Sequence, residues 1–139
     1  MIDDPLAHLP GYALRRAANA MMAELGRRLE TAGLRVSEAT VLLLLGERRD
    51  LTASRIGAAL DIQRANMVPL LARMEKAGLV ERVAIDRKSS AIVLTPLGEE
   101  RLARARDITA RFEQDLLGRV PALHRDHLLP ALNALWRGD

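Results

Sequence analysis

The chain has 139 residues, enough for one domain with a real core and too few to expect two. It is 49% hydrophobic and 28% charged. It has no Cys, which excludes disulfides, thiolate metal sites and cysteine redox sensing, and its single Trp, Tyr and Phe argue against stacking platforms for single-stranded nucleic acid. The net charge is only +3, so where the cations stand matters more than their number.

The opening "MIDDPLAHLPGY" is acidic and lacks a basic-then-apolar signal pattern. No run approaches the roughly 18 apolar residues needed to span a membrane. A soluble cytoplasmic protein with no membrane partner is expected. From Tyr12 to Ala32 the apolar residues Leu14, Ala17, Ala18, Met21, Met22, Leu25 and Leu29 fall at helical spacing, and Gly33 stops the pattern. Ser37 is placed to cap "EATVLLLLGE", a helix apolar on most sides, and "RRD" follows as a loop. Thr52 caps a short helix, "ASRIGAAL", with Ile56, Ala59 and Leu60 inward and Gly57 allowing close approach. Asp61-Ile62 make a tight turn. A further helix runs from about Gln63 to Ala77 and ends at Gly78, with Met67, Leu70, Leu71 and Met74 inward.

"GLVERVAI" and "SAIVLT" read as two strands joined by a tip of Asp86, Arg87, Lys88 and Ser89. Thr95 then caps a long helix with Pro96 at its first position. Pro121 breaks it, and a last amphipathic helix ends near Trp136. The fold class is mainly α with a small β-hairpin. Between Arg55 and Lys88 stand seven cations against four acids, so this window carries the whole net charge of the chain. A charged hairpin tip and a solvated basic face are ordinary features of a surface. Here they stand beside two short helices joined by a tight turn. That order makes a helix-turn-helix followed by a wing, which gives the cations a common destination on DNA.

The stretch "LTASRIGAALDIQRANMVPLLARMEKAGLVERVAIDRKSSAIVLTPLG" resembles the MarR family of winged helix-turn-helix transcription regulators. It fits the family's Leu-Thr, helix-turn-helix, Leu-Glu-x-x-Gly-Leu-Val-x-Arg, Asp-x-Arg and Leu-Thr-x-x-Gly pattern, and the flanking helices fit the same layout. The resemblance implies a single domain over 1–139. Its helix-turn-helix and wing cover about 52–95, and its dimerisation helices about 5–32 and 96–137. It implies a homodimer on a pseudo-palindromic double-stranded operator, with a recognition helix in the major groove and the wing in the minor groove. Repression is the expected outcome.

Two positions depart from the family pattern. The wing reads Asp86-Arg87-Lys88, with Lys where the family has Arg, so Arg87 and Lys88 are expected to share the minor-groove role. The recognition helix carries Val68-Pro69 where a hydroxyl and a basic residue are usual. Readout should therefore shift toward Gln63, Arg64 and Asn66, since Arg pairs with guanine and Asn or Gln with adenine. Helix-start chemistry is an equal account of Gln63 and Asn66. Ser54, Met67 and Arg73 complete the expected DNA-facing set. Arg73 is open between a phosphate contact and an ion pair around Glu75.

The family also implies a small effector, an aromatic or phenolic acid or its CoA thioester. Arg15, Arg16 and Asn19 are the candidates to meet its anionic part, with Leu43 in an apolar wall from Leu42 to Leu45. Solvated arginines and a plain core are the competing account. Leu6, Leu9, Leu123, Leu128, Leu129, Leu132, Leu135 and Trp136 are expected at a dimer interface rather than in a monomer core. His124 and His127 stand at i and i+3 beside Asp126, and a surface pair is expected there rather than zinc. No catalytic constellation appears, and neither a cofactor nor a metal is expected. The alternatives are a non-specific architectural DNA binder and a winged-helix protein-interaction module.

Overall fold

The computed structural model describes residues 3–138. They divide into two compact units, one ending at Arg106 and the other beginning at Asp107. In the first unit, α1 (Pro10–Glu30) begins at a proline whose missing N–H costs the helix nothing, and it buries Leu25 and Leu29. In α2 (Val36–Glu47), Val41 and Leu42 are wholly buried, as expected of a helix apolar on most sides. Its cap differs from expectation. The helix starts at Val36 after Arg35, and the Glu38 carboxylate reaches back to accept the Arg35 N–H at 2.8 Å. Ser37 lies inside the first turn, two residues past the capping position.

Thr52 caps α3 (Ala53–Leu60) by accepting the Arg55 N–H at 3.2 Å. Ile56 and Gly57 form its buried face, with Leu60 half-buried. Ala59, expected inward, is exposed: a helix this short buries one narrow stripe, and Ala59 falls outside it. The chain then reverses at Asp61, which takes a left-handed φ of 54°, and the Ile62 N–H donates to the Gly57 carbonyl at 2.8 Å. That close turn explains Gly57. A Cβ there would stand 2.9 Å from the Ile62 oxygen and 3.1 Å from Met67 Cγ. The next helix, α4 (Arg64–Lys76), buries Met67, Leu70, Leu71 and Met74 as the spacing requires, and it continues through Pro69. Gly78 ends this segment with φ at 76°, a conformation few other residues adopt.

Strands β1 (Val80–Ala84) and β2 (Ser90–Leu94) pair antiparallel, from Val80 opposite Leu94 to Ala84 opposite Ser90. Val80, Ala91 and Ile92 are buried, and the Ile92 N–H donates to the Leu51 carbonyl at 2.8 Å, which ties the hairpin to the segment entering α3. Thr95 closes the sheet onto α5 (Pro96–Arg119). Its hydroxyl donates to the Gly78 carbonyl and accepts the Gly98 N–H at 3.0 Å. Its own N–H donates to the Leu79 carbonyl at 3.1 Å. Gly98 packs so tightly there that a Cβ would lie 2.0 Å from the Leu79 oxygen. This is the physical content of the Leu-Thr-x-x-Gly motif.

In the second unit, the end of α5 is followed by Pro121, a 3-10 turn (Ala122–His124) and α6 (Arg125–Arg137). The Arg125 guanidinium donates to the Val120 and Gly118 carbonyls at 2.8 and 3.1 Å, satisfying acceptors that the end of α5 leaves free. Phe112 is buried, whereas Leu123, Leu129, Leu135 and Trp136 are 66–78% exposed. Leu128 and Leu132 are half-buried, and Leu6 and Leu9 at the N-terminal end of the first unit are also exposed. These leucines and Trp136 do not build a monomer core. Among the described residues, no helix is long and apolar enough to cross a membrane.

Candidate nucleic-acid interface

The site is built on α4 and the hairpin. Gln63 is the residue before α4, in extended conformation, with its side chain making no capping bond. Its main-chain carbonyl receives the Asn66 and Met67 N–H groups at 2.9 and 3.0 Å. Gln63, Arg64 and Asn66 are all exposed. The first turn of α4 contains no acidic residue, so its free N–H groups and partial positive charge are unopposed within the helix.

Arg64 and Ser54 line a common cleft of about 580 Å³ between α3 and α4, together with Gly57, Met67, Val68 and Arg82. Met67 is a correction to the expected DNA-facing set. It is 3% exposed and packs toward Gly57, so it sets the spacing of α3 and α4 rather than meeting a partner. Arg73 is exposed one turn or more beyond the start of α4. The anticipated partner of Arg73, Glu75, is taken by another residue: Arg82 Nε donates to its carboxylate at 2.8 Å. Among the described residues, no carboxylate lies within ion-pair distance of Arg64, Arg73, Arg87 or Lys88.

The wing tip is fixed by one side chain. Asp86 Oδ1 accepts the Lys88 N–H at 2.8 Å, the Ser89 N–H at 2.9 Å and the Ser89 hydroxyl at 3.0 Å. These bonds, the Lys88 N–H first, hold the Asp86 carboxyl below its ordinary range, because they stabilise its charged form. The carboxylate is thereby occupied inside the turn. Arg87 and Lys88 project from it, both exposed. The tip presents two cations on a turn closed by three hydrogen bonds to one carboxylate oxygen.

A second group of cations was not distinguished in the sequence. Arg48 and Arg49, read as part of a loop, line an open cleft of about 710 Å³ with Arg55, and a neighbouring one of about 460 Å³ with Arg106. Their signal was two consecutive arginines just past the end of α2. Three of the residues expected to meet an effector are exposed on α1: Arg15, Arg16 and Asn19. Arg15 lies over the Tyr12 ring, 5.6 Å from its centre. The Tyr12 hydroxyl donates to Asp4 at 2.6 Å, which lowers the Asp4 pKa and raises that of Tyr12. Leu43 is half-buried, whereas Leu42 and Leu45 belong to the core, so only part of the expected apolar wall is open. None of the three clefts described above is lined by Arg15, Arg16, Asn19 or Leu43. His124 and His127 are exposed.

Comparison with known proteins agrees with this geometry. The MarR family profile matches residues 32–88, which span α2, the helix-turn-helix and the wing tip. A Thauera aromatica protein assigned as the transcriptional regulatory protein for an hcr operon is 28% identical over 142 residues, covering 100% of this chain and 86% of that one. The transcriptional repressor CouR is 31% identical with a TM-score of 0.86, and each chain is covered completely. CouR bound to a 23-mer DNA duplex is similar at 32% identity, 97% coverage of both chains and a TM-score of 0.87. CouR bound to p-coumaroyl-CoA is similar at 31% identity, covering 100% of this chain and 99% of that one, with a TM-score of 0.88. A Mycobacterium tuberculosis MarR family protein in complex with salicylic acid is 25% identical, with 96% and 97% coverage and a TM-score of 0.71. The Thauera protein and CouR are regulators of transcription. The chain belongs to the MarR family and is a DNA-binding regulator of transcription.

Proposed function

We propose that this chain acts as a homodimeric, ligand-responsive repressor that places α4 in the major groove and its wing in the minor groove of a pseudo-palindromic operator. One observation carries the reading. Arg64 and Asn66 at the start of α4, and Arg87 and Lys88 on the wing, are all exposed and free of carboxylate partners. Cations left unneutralised on neighbouring elements lose little on meeting phosphates and release the counterions that drive binding. The dimer rests on Leu123, Leu129, Leu135 and Trp136, four large apolar side chains near the end of the chain that stand mostly open to water. Two-fold symmetry would set two recognition helices roughly 34 Å apart, one turn of DNA.

For the effector, an aromatic acyl-CoA thioester is the first choice. CouR, similar over the full chain, is bound to p-coumaroyl-CoA, whereas the salicylic acid complex is of a more distant relative. Arg15, Arg16 and Asn19 are the candidate residues for its anionic part. Two experiments test the reading. Selection from fragments of the protein's own genome should enrich an inverted repeat, bound about 10³-fold more tightly than random duplex. Titration of that complex with p-coumaroyl-CoA should release DNA at lower concentrations than free p-coumarate or salicylate does. Equal affinity for every duplex would instead indicate an architectural protein.

A further inference from the structure

The exposed face of α4 is apolar along its middle. Ala65, Val68, Pro69 and Ala72 are all exposed there, opposite the buried Met67, Leu70, Leu71 and Met74. Arg64 lies on one flank of this stripe, and Asn66 and Arg73 on the other. Val68 is the large residue of the stripe and is 61% exposed. Water is a poor neighbour for a branched aliphatic side chain, and Val68 stands open to it at the edge of the cleft between α3 and α4. Cations on both flanks make a nucleic acid the matching occupant. On the major-groove edge of a base pair, one group is apolar: the C5 methyl of thymine.

We propose that Val68 is a specificity residue that reads a thymine methyl in each operator half-site. The inference rests on α4 being the recognition helix. The small side chains of Ala65 and Ala72 and the compact ring of Pro69 let the helix approach the groove floor closely, so that Val68 can reach it. Pro69 and Val68 offer the bases no side-chain hydrogen bond, so the middle of α4 selects by methyl contact and its ends by Arg64 and Asn66.

The test uses the full-length protein and the inverted repeat it selects. Each thymine in turn is replaced by 2′-deoxyuridine, which removes the methyl and keeps every hydrogen-bonding group. At fixed salt, one thymine per half-site should lose about fourfold in affinity, the effect expected of one methyl leaving apolar contact. Val68→Ala, at an exposed position where folding is not threatened, should bind the thymine and uracil forms alike. The proposal is overturned if no uracil substitution weakens the wild-type protein. It is equally overturned if the loss persists undiminished in Val68→Ala. If no repeat is enriched at all, the reading of α4 fails and takes this inference with it, an outcome visible before any base is replaced.

Discussion

Asp86 Oδ1 accepts the backbone N–H of Lys88 at 2.8 Å, so the residue that shapes the wing tip and a cation it presents stand two positions apart. The same oxygen holds the Ser89 N–H and hydroxyl. Asp86→Ala should therefore loosen the tip and weaken DNA binding severalfold while leaving the melting temperature nearly unchanged, since the tip is exposed. Parallel DNA titrations and thermal melts check both halves. The pH sign is fixed by the lowered Asp86 pKa. The native pKa lies below the unfolded value, so the tip is fully ordered above the ordinary carboxylate range. Its order is lost only as pH falls through the lowered value. DNA affinity should carry no Asp86 titration near neutral pH.

Arg87→Ala and Lys88→Ala should each weaken binding to all duplexes about equally. Each should also reduce the slope of log affinity against log salt by about one unit if its cation sits on a phosphate. A residue inserted in the minor groove would additionally change the preference for A·T-rich flanks. Selection repeated with each variant tells which cation does this.

The packing of Gly98 on Leu79 makes a stability prediction. A methyl group there would meet the Leu79 oxygen at 2.0 Å, an atom whose position is held by the Thr95 N–H. Gly98→Ala should cost about 3 kcal/mol or more, lowering the melting temperature by about 10 °C. Thr95→Ala, which removes a cap and orphans the Gly78 carbonyl contact, should cost about 1–2 kcal/mol. Thermal or urea denaturation measures both.

The exposed C-terminal leucines make a prediction about assembly. Leu129→Asp places a charge on a 66% exposed apolar residue, so the monomer should fold normally. Its sedimentation should shift from dimer to monomer. Affinity for the inverted repeat should then fall by about 10²-fold or more, because each half-site is held alone.

Much of this was legible in the sequence because the signals were local. Thr52 and Thr95 cap their helices, Gly57 and Asp61 make the turn, and the apolar spacing of α4 gave its buried face. Where local signals competed, the reading failed. Ser37 is a better cap residue than Arg35, yet Glu38 settles the start of α2 from its third position. Met67 was legible as an inward residue from its spacing, and only its inclusion in the DNA-facing set was wrong, because its place on the wheel puts it against Gly57. The pairing of Glu75 with Arg82, seven residues on, depends on how α4 and β1 meet and has no local signature. The clustering of Arg48 and Arg49 with Arg55 is likewise a product of the fold.

The most direct measurement compares wild type and Arg64→Ala on the selected operator and on random duplex, at one fixed salt concentration. With α4 in the major groove, Arg64→Ala should lose about tenfold or more on the operator, much less on random DNA, and relax selection at one base pair of each half-site. Unchanged affinity and unchanged selectivity in Arg64→Ala would contradict the placement of α4 in the major groove.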